Sequence, residues 1–271
     1  MKVKEIPVSL FNQARLTWQS QKKLESGKEV IPVIVSLASI PSRLGIVHIT
    51  IRSVLDQTVL PEKIILWLHQ DLEKRIPKKL SELTGDRFSI KFTSYSSSHR
   101  KLVEPLQIFP NMVIITCDDD MIYRKNWLSN LYRAHLDTPN CIIGNQTRCI
   151  SYDAKNKLLP YKNWSSGTNS CPNPHTVLPI GAGGTLYPPN VLDNRVLDQE
   201  LFLKLTPKAD DLWFKAMGLL KGTLSIKSKY HTKEPIPIWG SQKVSLKKSN
   251  IEGDKNRTQW QALTDYFKLK F

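Results

Sequence analysis

Hydrophobic positions along the chain fall into short blocks whose period alternates between that of a strand and that of a helix. The first 29 residues are polar and charged, with helical spacing at Leu10, Phe11, Ala14, Leu16 and Trp18, which predicts a peripheral helix over residues 1–29. The pattern then changes abruptly. Residues 30–37 (VIPVIVSL) form a β-branched run of the kind that makes a buried parallel strand. Ser42 is placed to cap a helix over residues 43–57, whose apolar face is Ile46, Ile49, Val54 and Leu55. Residues 63–68 (KIILWL) are a second buried strand, so the segment spells a βαβ unit and predicts a parallel sheet.

The alternation continues with a helix over 74–83, a half-exposed strand over 88–93, a helix over 102–109 and a buried strand over 112–116 (MVIIT). That strand runs straight into Asp118-Asp119-Asp120. A helix over 126–135 and a strand over 141–145 follow. Residues 152–179 are rich in Pro and Gly and read as loop, after which come a helix at 210–220, a strand at 223–229 and a helix at 258–267. The expected architecture is a single α/β domain, a Rossmann-type mixed sheet flanked by helices. It has an alternating front half (30–145) and an irregular back half (146–271).

Composition narrows the class. With 40% apolar residues in 271, the chain has the material for a core, which excludes global disorder. No apolar run approaches the roughly 20 residues of a membrane span, and MKVKEIPVSL lacks the apolar region of a secretory signal. A cytoplasmic protein is therefore expected, with Cys117, Cys141, Cys149 and Cys171 as free thiols in a reducing compartment. The net charge of +15 is a clue to partners. Residues 221–271 hold eleven basic and four acidic residues, with Lys243, Lys247, Lys248, Lys255 and Arg257 grouped there. Such a surface suits peripheral contact with an anionic membrane face or an acidic glycan, or it simply keeps the protein in solution.

The sharpest chemical signal is the acidic triplet at a strand end, where open α/β sheets bind ligands. If extended geometry persists, Asp118 and Asp120 project to one side; a turn or helix start rich in Asp is the plain alternative. Three adjacent carboxylates repel, and a hard divalent cation relieves that repulsion. No phosphate loop, dinucleotide fingerprint or H-E-x-x-H occurs, so metal rather than backbone would neutralise a diphosphate.

Four stretches, VSLASIPSRLGIVHITIRSVLDQTVLPEKIILWL, IITCDDDMIYRKNWLSNL, GAGGTLYPPNVL and ADDLWFKAM, together resemble bacterial GT-A-fold nucleotide-sugar glycosyltransferases of the capsule and lipopolysaccharide type. The resemblance spans residues 30–267. It implies a nucleotide-diphosphate sugar donor, a glycan or lipid-linked glycan acceptor, and Mn²⁺ or Mg²⁺ as cofactor. It implies donor contacts from Arg43, Lys101, Asp118, Gly183 and Gly184, with Asp119 open to either register. The loop of Gly181, Gly183 and Gly184 would let backbone approach a sugar, or be a tight turn only. Asp120 would be the metal ligand, with Asp118 and His231 as further candidates. Asp210-Asp211 would supply the general base, Asp211 for preference, or merely cap a helix. Transfer would invert the anomeric centre if Asp211 drives direct displacement.

Two other classes compete. A metal-dependent nuclease or nucleic-acid-binding protein fits the charge. Its basic residues are scattered, however, and no RRM, KH or helix-turn-helix signature appears, so no nucleic-acid partner is expected. A non-catalytic glycan-binding module fits the aromatic back half but leaves the acidic triplet without a use.

Overall fold

β-branched and aliphatic runs fix the sheet. The computed structural model describes residues 5–166, 171–230, 232–241 and 253–269. Its central sheet comprises β1 (Val30–Ala38), β2 (Leu60–His69), β3 (Phe88–Thr93), β4 (Val113–Thr116), β5 (Ile142–Gly144), β6 (Thr185–Tyr187) and β7 (Ser225–Lys227), in the spatial order β7-β5-β6-β4-β1-β2-β3. β1 pairs in parallel with β2 on one side and with β4 on the other, where Ser36 lies opposite Thr116. β6 runs antiparallel between β4 and β5. The sheet is thus mixed, and the expected α/β architecture is observed.

Alternation along β1 divides the core. Val33, Val35 and Leu37 pack on one face with Ile51, Val54 and Leu55 of α3 (Val47–Leu55) and Leu128 and Leu131 of α5 (Trp127–Asp137). Ile34, Ile65 and Ile114 face the other side. They meet Leu102 of α4 (Arg100–Ile108), Leu212, Trp213 and Met217 of α6 (Asp210–Lys221), and Trp260 of α7 (Lys255–Phe267). Each fully buried aliphatic contributes about 1.5–3 kcal/mol relative to exposure, so both sheet faces are strongly committed to their helices. Two short helices, α1 (Ile6–Trp18) and α2 (Gln21–Glu25), lie outside this sandwich on α3.

Several elements differ from the sequence pattern. The helix expected over 43–57 begins only at Val47, after a 3₁₀ turn at Pro41–Arg43, and Ser42 is not its cap. The break leaves Arg43 outside the helix and free to reach back to the triplet. The helix expected over 74–83 is a 3₁₀ turn (Gln70–Arg75) and a single helical turn (Lys78–Ser81), separated by Pro77, whose ring and missing N–H forbid continuity. β6 and the helix Gln199–Leu205 carry no distinct sequence signal. No helix among the described residues is long and apolar enough to cross a membrane.

The expectation of four free thiols is corrected. Cys149 and Cys171 form a disulfide, while Cys117 and Cys141 remain thiols. Thr147–Cys149 pairs antiparallel with Val177–Pro179, which returns the intervening loop to its own start and brings the cysteines together. Spacing alone gives no sign of that return, and the bond is at odds with a reducing compartment. Closing a loop with a separation of 22 residues is worth about 3 kcal/mol. Urea unfolding is therefore expected to shift down by about that amount on reduction, or in Cys171→Ser, with an unchanged midpoint arguing against any stabilising role for the bond.

Candidate active site

The carboxyl ends of β1 and β4 lie side by side where the sheet changes from parallel pairing to the antiparallel β6, and the acidic triplet emerges there. The chain turns at Asp119-Asp120, so the strand period stops there, and Asp119 and Asp120 converge on Arg43 while Asp118 pairs with Lys101. The extended geometry on which a shared side for Asp118 and Asp120 depended does not persist through the triplet. Asp119 is buried, accepts hydrogen bonds from Ser39 Oγ and from Arg43 Nη1 at 2.6 Å, and anchors the start of the Arg43 turn to β4. Asp120 is also buried and pairs with Arg43 Nη2 at 3.0 Å. Asp118 is different. Its side chain is 33% exposed, and one oxygen, Oδ1, takes Lys101 Nζ at 3.0 Å.

Lys101 is the centre of the arrangement. It is buried in the first turn of α4, and its ammonium bridges Asp118 and Asp210 Oδ2, the latter at 2.8 Å. Burial acts to lower its pKa, but Asp118, Asp210 and Asp211 outweigh that and hold it well above the ordinary lysine value. Ser98 Oγ donates to Asp210 Oδ1 at 2.8 Å, and Gly181 N donates to Asp211 Oδ2 at 2.9 Å. The residue at the N-cap of α6 is Ala209, and no side chain caps the helix. Both aspartates are spent on tertiary contacts rather than on the helix end.

Their environments separate the pair. Burial favours protonation of Asp210, yet Lys101, His99 and Ser98 outweigh it and its pKa falls below the ordinary value. Burial, reinforced by the neighbouring Asp210 charge, pushes Asp211 up to about 7, against the pull of Lys101. One carboxylate is thus a fixed anion, and the other titrates near neutrality, the range suited to general-base work. Burial and the adjacent Asp118 push Asp120 up to about 7 as well.

A cavity of about 540 Å³ joins these groups. Arg43, Lys101, Asp118, Asp119, Asp210 and Asp211 all line it. Asp120 does not. Gly183 and Gly184 also lie off its wall: Gly183 packs on Gln146, and Gly184, at φ 88°, packs on the Trp127 ring. The glycine that abuts the site is Gly181, where a Cβ would come within 2.8 Å of Asp211 Oδ1 and 2.9 Å of Lys101 Nζ. His231 lies outside the described residues. Sequence reasoning passed over Ser39, Ser98 and Arg100, whose guanidinium donates to Ser39 O. Their only sequence signal is the hydroxyl-rich run Ser96-Ser97-Ser98 before a basic pair.

Asp118 Oδ2 has no partner among the described residues and belongs to a carboxylate open to the cavity, but Arg43 takes up Asp119 and Asp120, and no group of three or more His, Cys, Asp or Glu among the described residues is placed to hold a metal ion.

The chain matches no protein-family model and no curated protein. Solved structures similar to it include 4-diphosphocytidyl-2C-methyl-D-erythritol synthase from Anaerococcus prevotii (13% identity, 88% of this chain and 98% of that one, TM-score 0.43). HddC from Yersinia pseudotuberculosis is similar at 12% identity over 86% of this chain and 99% of that one, with a TM-score of 0.45. CMP:2-keto-3-deoxy-manno-octonic acid synthetase, in complex with CTP, shares 10% identity over 74% of this chain and 89% of that one, with a TM-score of 0.40.

Proposed function

We propose that the chain is a glycosyltransferase that moves a sugar from a nucleotide-diphosphate donor to a hydroxyl of a surface glycan, free or lipid-linked. The observation that carries this reading is the convergence of its four resemblance stretches on one cavity. Arg43 comes from the first, Asp118 from the second, Ala182 from the third and Asp211 from the fourth. Residues 30–145 would supply the donor half and residues 146–271 the acceptor half.

Asp118 would hold Mn²⁺ or Mg²⁺, which when bound would offset the diphosphate charge. Asp119 and Asp120 hold the Arg43 guanidinium at the cavity, where its planar fork suits a phosphate. This assigns the two buried acids to orienting Arg43 rather than to the metal. Asp211 takes the proton of the acceptor hydroxyl, whose oxygen then bonds the anomeric carbon. The bond from that carbon to the diphosphate oxygen breaks, and the nucleoside diphosphate leaves with the electron pair. Attack from the face opposite the leaving group inverts the anomeric configuration. Lys101 keeps Asp210 ionised beside Asp211 and ties Asp210 to the donor-side Asp118.

The test is a panel of nucleotide-sugars with Mn²⁺, read by thermal shift and then by product release. One donor is expected to raise the unfolding temperature, since a ligand that binds only the folded state stabilises it. That donor should release nucleoside diphosphate only when a glycan acceptor is added. Pyrophosphate released from a nucleoside triphosphate would instead make the chain a nucleotidyl-transferring enzyme. The absence of any nucleotide effect would remove the reading.

A further inference from the structure

α1 is amphipathic in the wrong sense for a helix lying on a protein. Its inward side is largely polar and is held by hydrogen bonds. Ser9, fully buried, donates to Pro237 O at 2.7 Å and accepts Trp239 N at 2.9 Å. Gln13 donates to Ser9 Oγ, and Arg52 from α3 takes the C-terminal carbonyls of Leu16 and Gln19. Leu16 is the one large side chain of the helix that is fully buried. The outward side is almost wholly apolar. Val8, Leu10, Phe11, Ala14 and Trp18 are exposed, Phe11 at 68% and Trp18 at 88%.

We propose that this face of α1 docks on an anionic lipid bilayer surface. Two features favour a membrane over a protein partner. Trp and Phe beside basic residues are the composition of an interfacial helix. The basic residues are in place: Lys22 and Lys23 are exposed just beyond Trp18, and Arg15, Lys28 and Lys125 gather around the Asp56 carboxylate. A second copy of the chain would set these like charges against each other across a two-fold interface, on top of +15 per chain, whereas anionic headgroups complement them. The inference places the contact on α1 rather than on the expected basic cluster, of which Lys243, Lys247 and Lys248 lie outside the described residues. It does not rest on glycosyl transfer, and its test uses neither donor nor acceptor.

The full chain would be floated with vesicles of phosphatidylcholine alone, or of phosphatidylcholine with phosphatidylglycerol, at low and high salt. Binding is expected on the anionic vesicles and should weaken with salt. Phe11→Ser/Trp18→Ser should lower the partition at least ten-fold with no drop in unfolding temperature, because both side chains are exposed. Lys22→Gln/Lys23→Gln should lower it less and blunt the salt effect. Should the aromatic double variant fail to fold, quenching by brominated lipid decides the matter. Tryptophan emission of the unaltered protein should be quenched on anionic vesicles, and the Trp18→Phe protein much less. Equal flotation of folded wild-type and aromatic variant, no binding to anionic vesicles, or a dimer in solution that the aromatic variant dissociates would each overturn the proposal.

Discussion

Asp211→Asn is expected to lower turnover by about 10²–10⁴, the range for loss of a general base, while donor affinity stays within a few-fold. The variant should also be more stable than the parent above pH 7. Burial and the Asp210 charge raise Asp211 to about 7 in the folded protein, against an ordinary carboxylate value of 3.8. Between about pH 3.8 and 7 the folded chain therefore keeps a proton that the unfolded chain has released, so stability falls as pH rises across that window and levels off above it. An amide has no such loss, so the gain from Asp211→Asn grows with pH over that window. The same ionisation sets activity in the opposite sense: the base works as the anion, and turnover of the parent should fall below about pH 7. Lower activity with higher unfolding temperature is a signature that a helix cap would not give, because removing a cap destabilises. Stopped transfer assays and thermal unfolding across pH read both halves. If Asp210→Asn carries the loss in turnover and Asp211→Asn does not, the roles are exchanged.

The strand ends were legible because buried parallel strands announce themselves as β-branched runs, and 30–37, 63–68 and 112–116 match β1, β2 and β4 closely. β6 was not, although it lies in the middle of the sheet. Its three residues are flanked by Gly and Pro, and its pairing with β4 and β5 is a long-range event with no local period. The doubled aspartate and the triplet were visible as types, but their directions were not. A turn at Asp119-Asp120 sends the third carboxylate to Arg43, and a helix start delayed to Val47 is what lets Arg43 meet it. Lys101 was named as a donor contact, but its partners were not legible. Its position at the hub of three carboxylates depends on α4 packing beside β1 and β4, which no spacing rule encodes. The α1 helix shows the opposite case. Its period was read correctly, but the period does not say which face is buried, and here hydrogen bonds to Pro237 and Trp239 turn the apolar side outward.

Asp118→Ala is expected to abolish the dependence of nucleotide-diphosphate binding on a divalent cation. In the parent, the Asp118 carboxylate offers the cavity an oxygen that no described residue satisfies, while Lys101 is paired with Asp118 and Asp210 and feels the charge of Asp211, which leaves it little charge to spare for a phosphate. Titration calorimetry should therefore show affinity at least ten-fold higher with Mn²⁺ than with EDTA. Removing Asp118 takes away the oxygen donor and at the same time releases part of the Lys101 charge. The variant should bind the diphosphate equally with and without the cation, and its turnover should fall by about 10²–10³, the scale for losing one preorganised electrostatic contact. Asp120→Ala should behave otherwise. Arg43, only 17% exposed, would keep Asp119 but lose its second carboxylate, so the variant should unfold more easily yet retain its cation effect. Were Asp120→Ala to erase the cation effect and Asp118→Ala to preserve it, the metal would belong to the third aspartate of the triplet, as the resemblance implies. Parent binding that is indifferent to EDTA would leave Arg43 and Lys101 as the groups that meet the diphosphate, with the carboxylates serving to aim them.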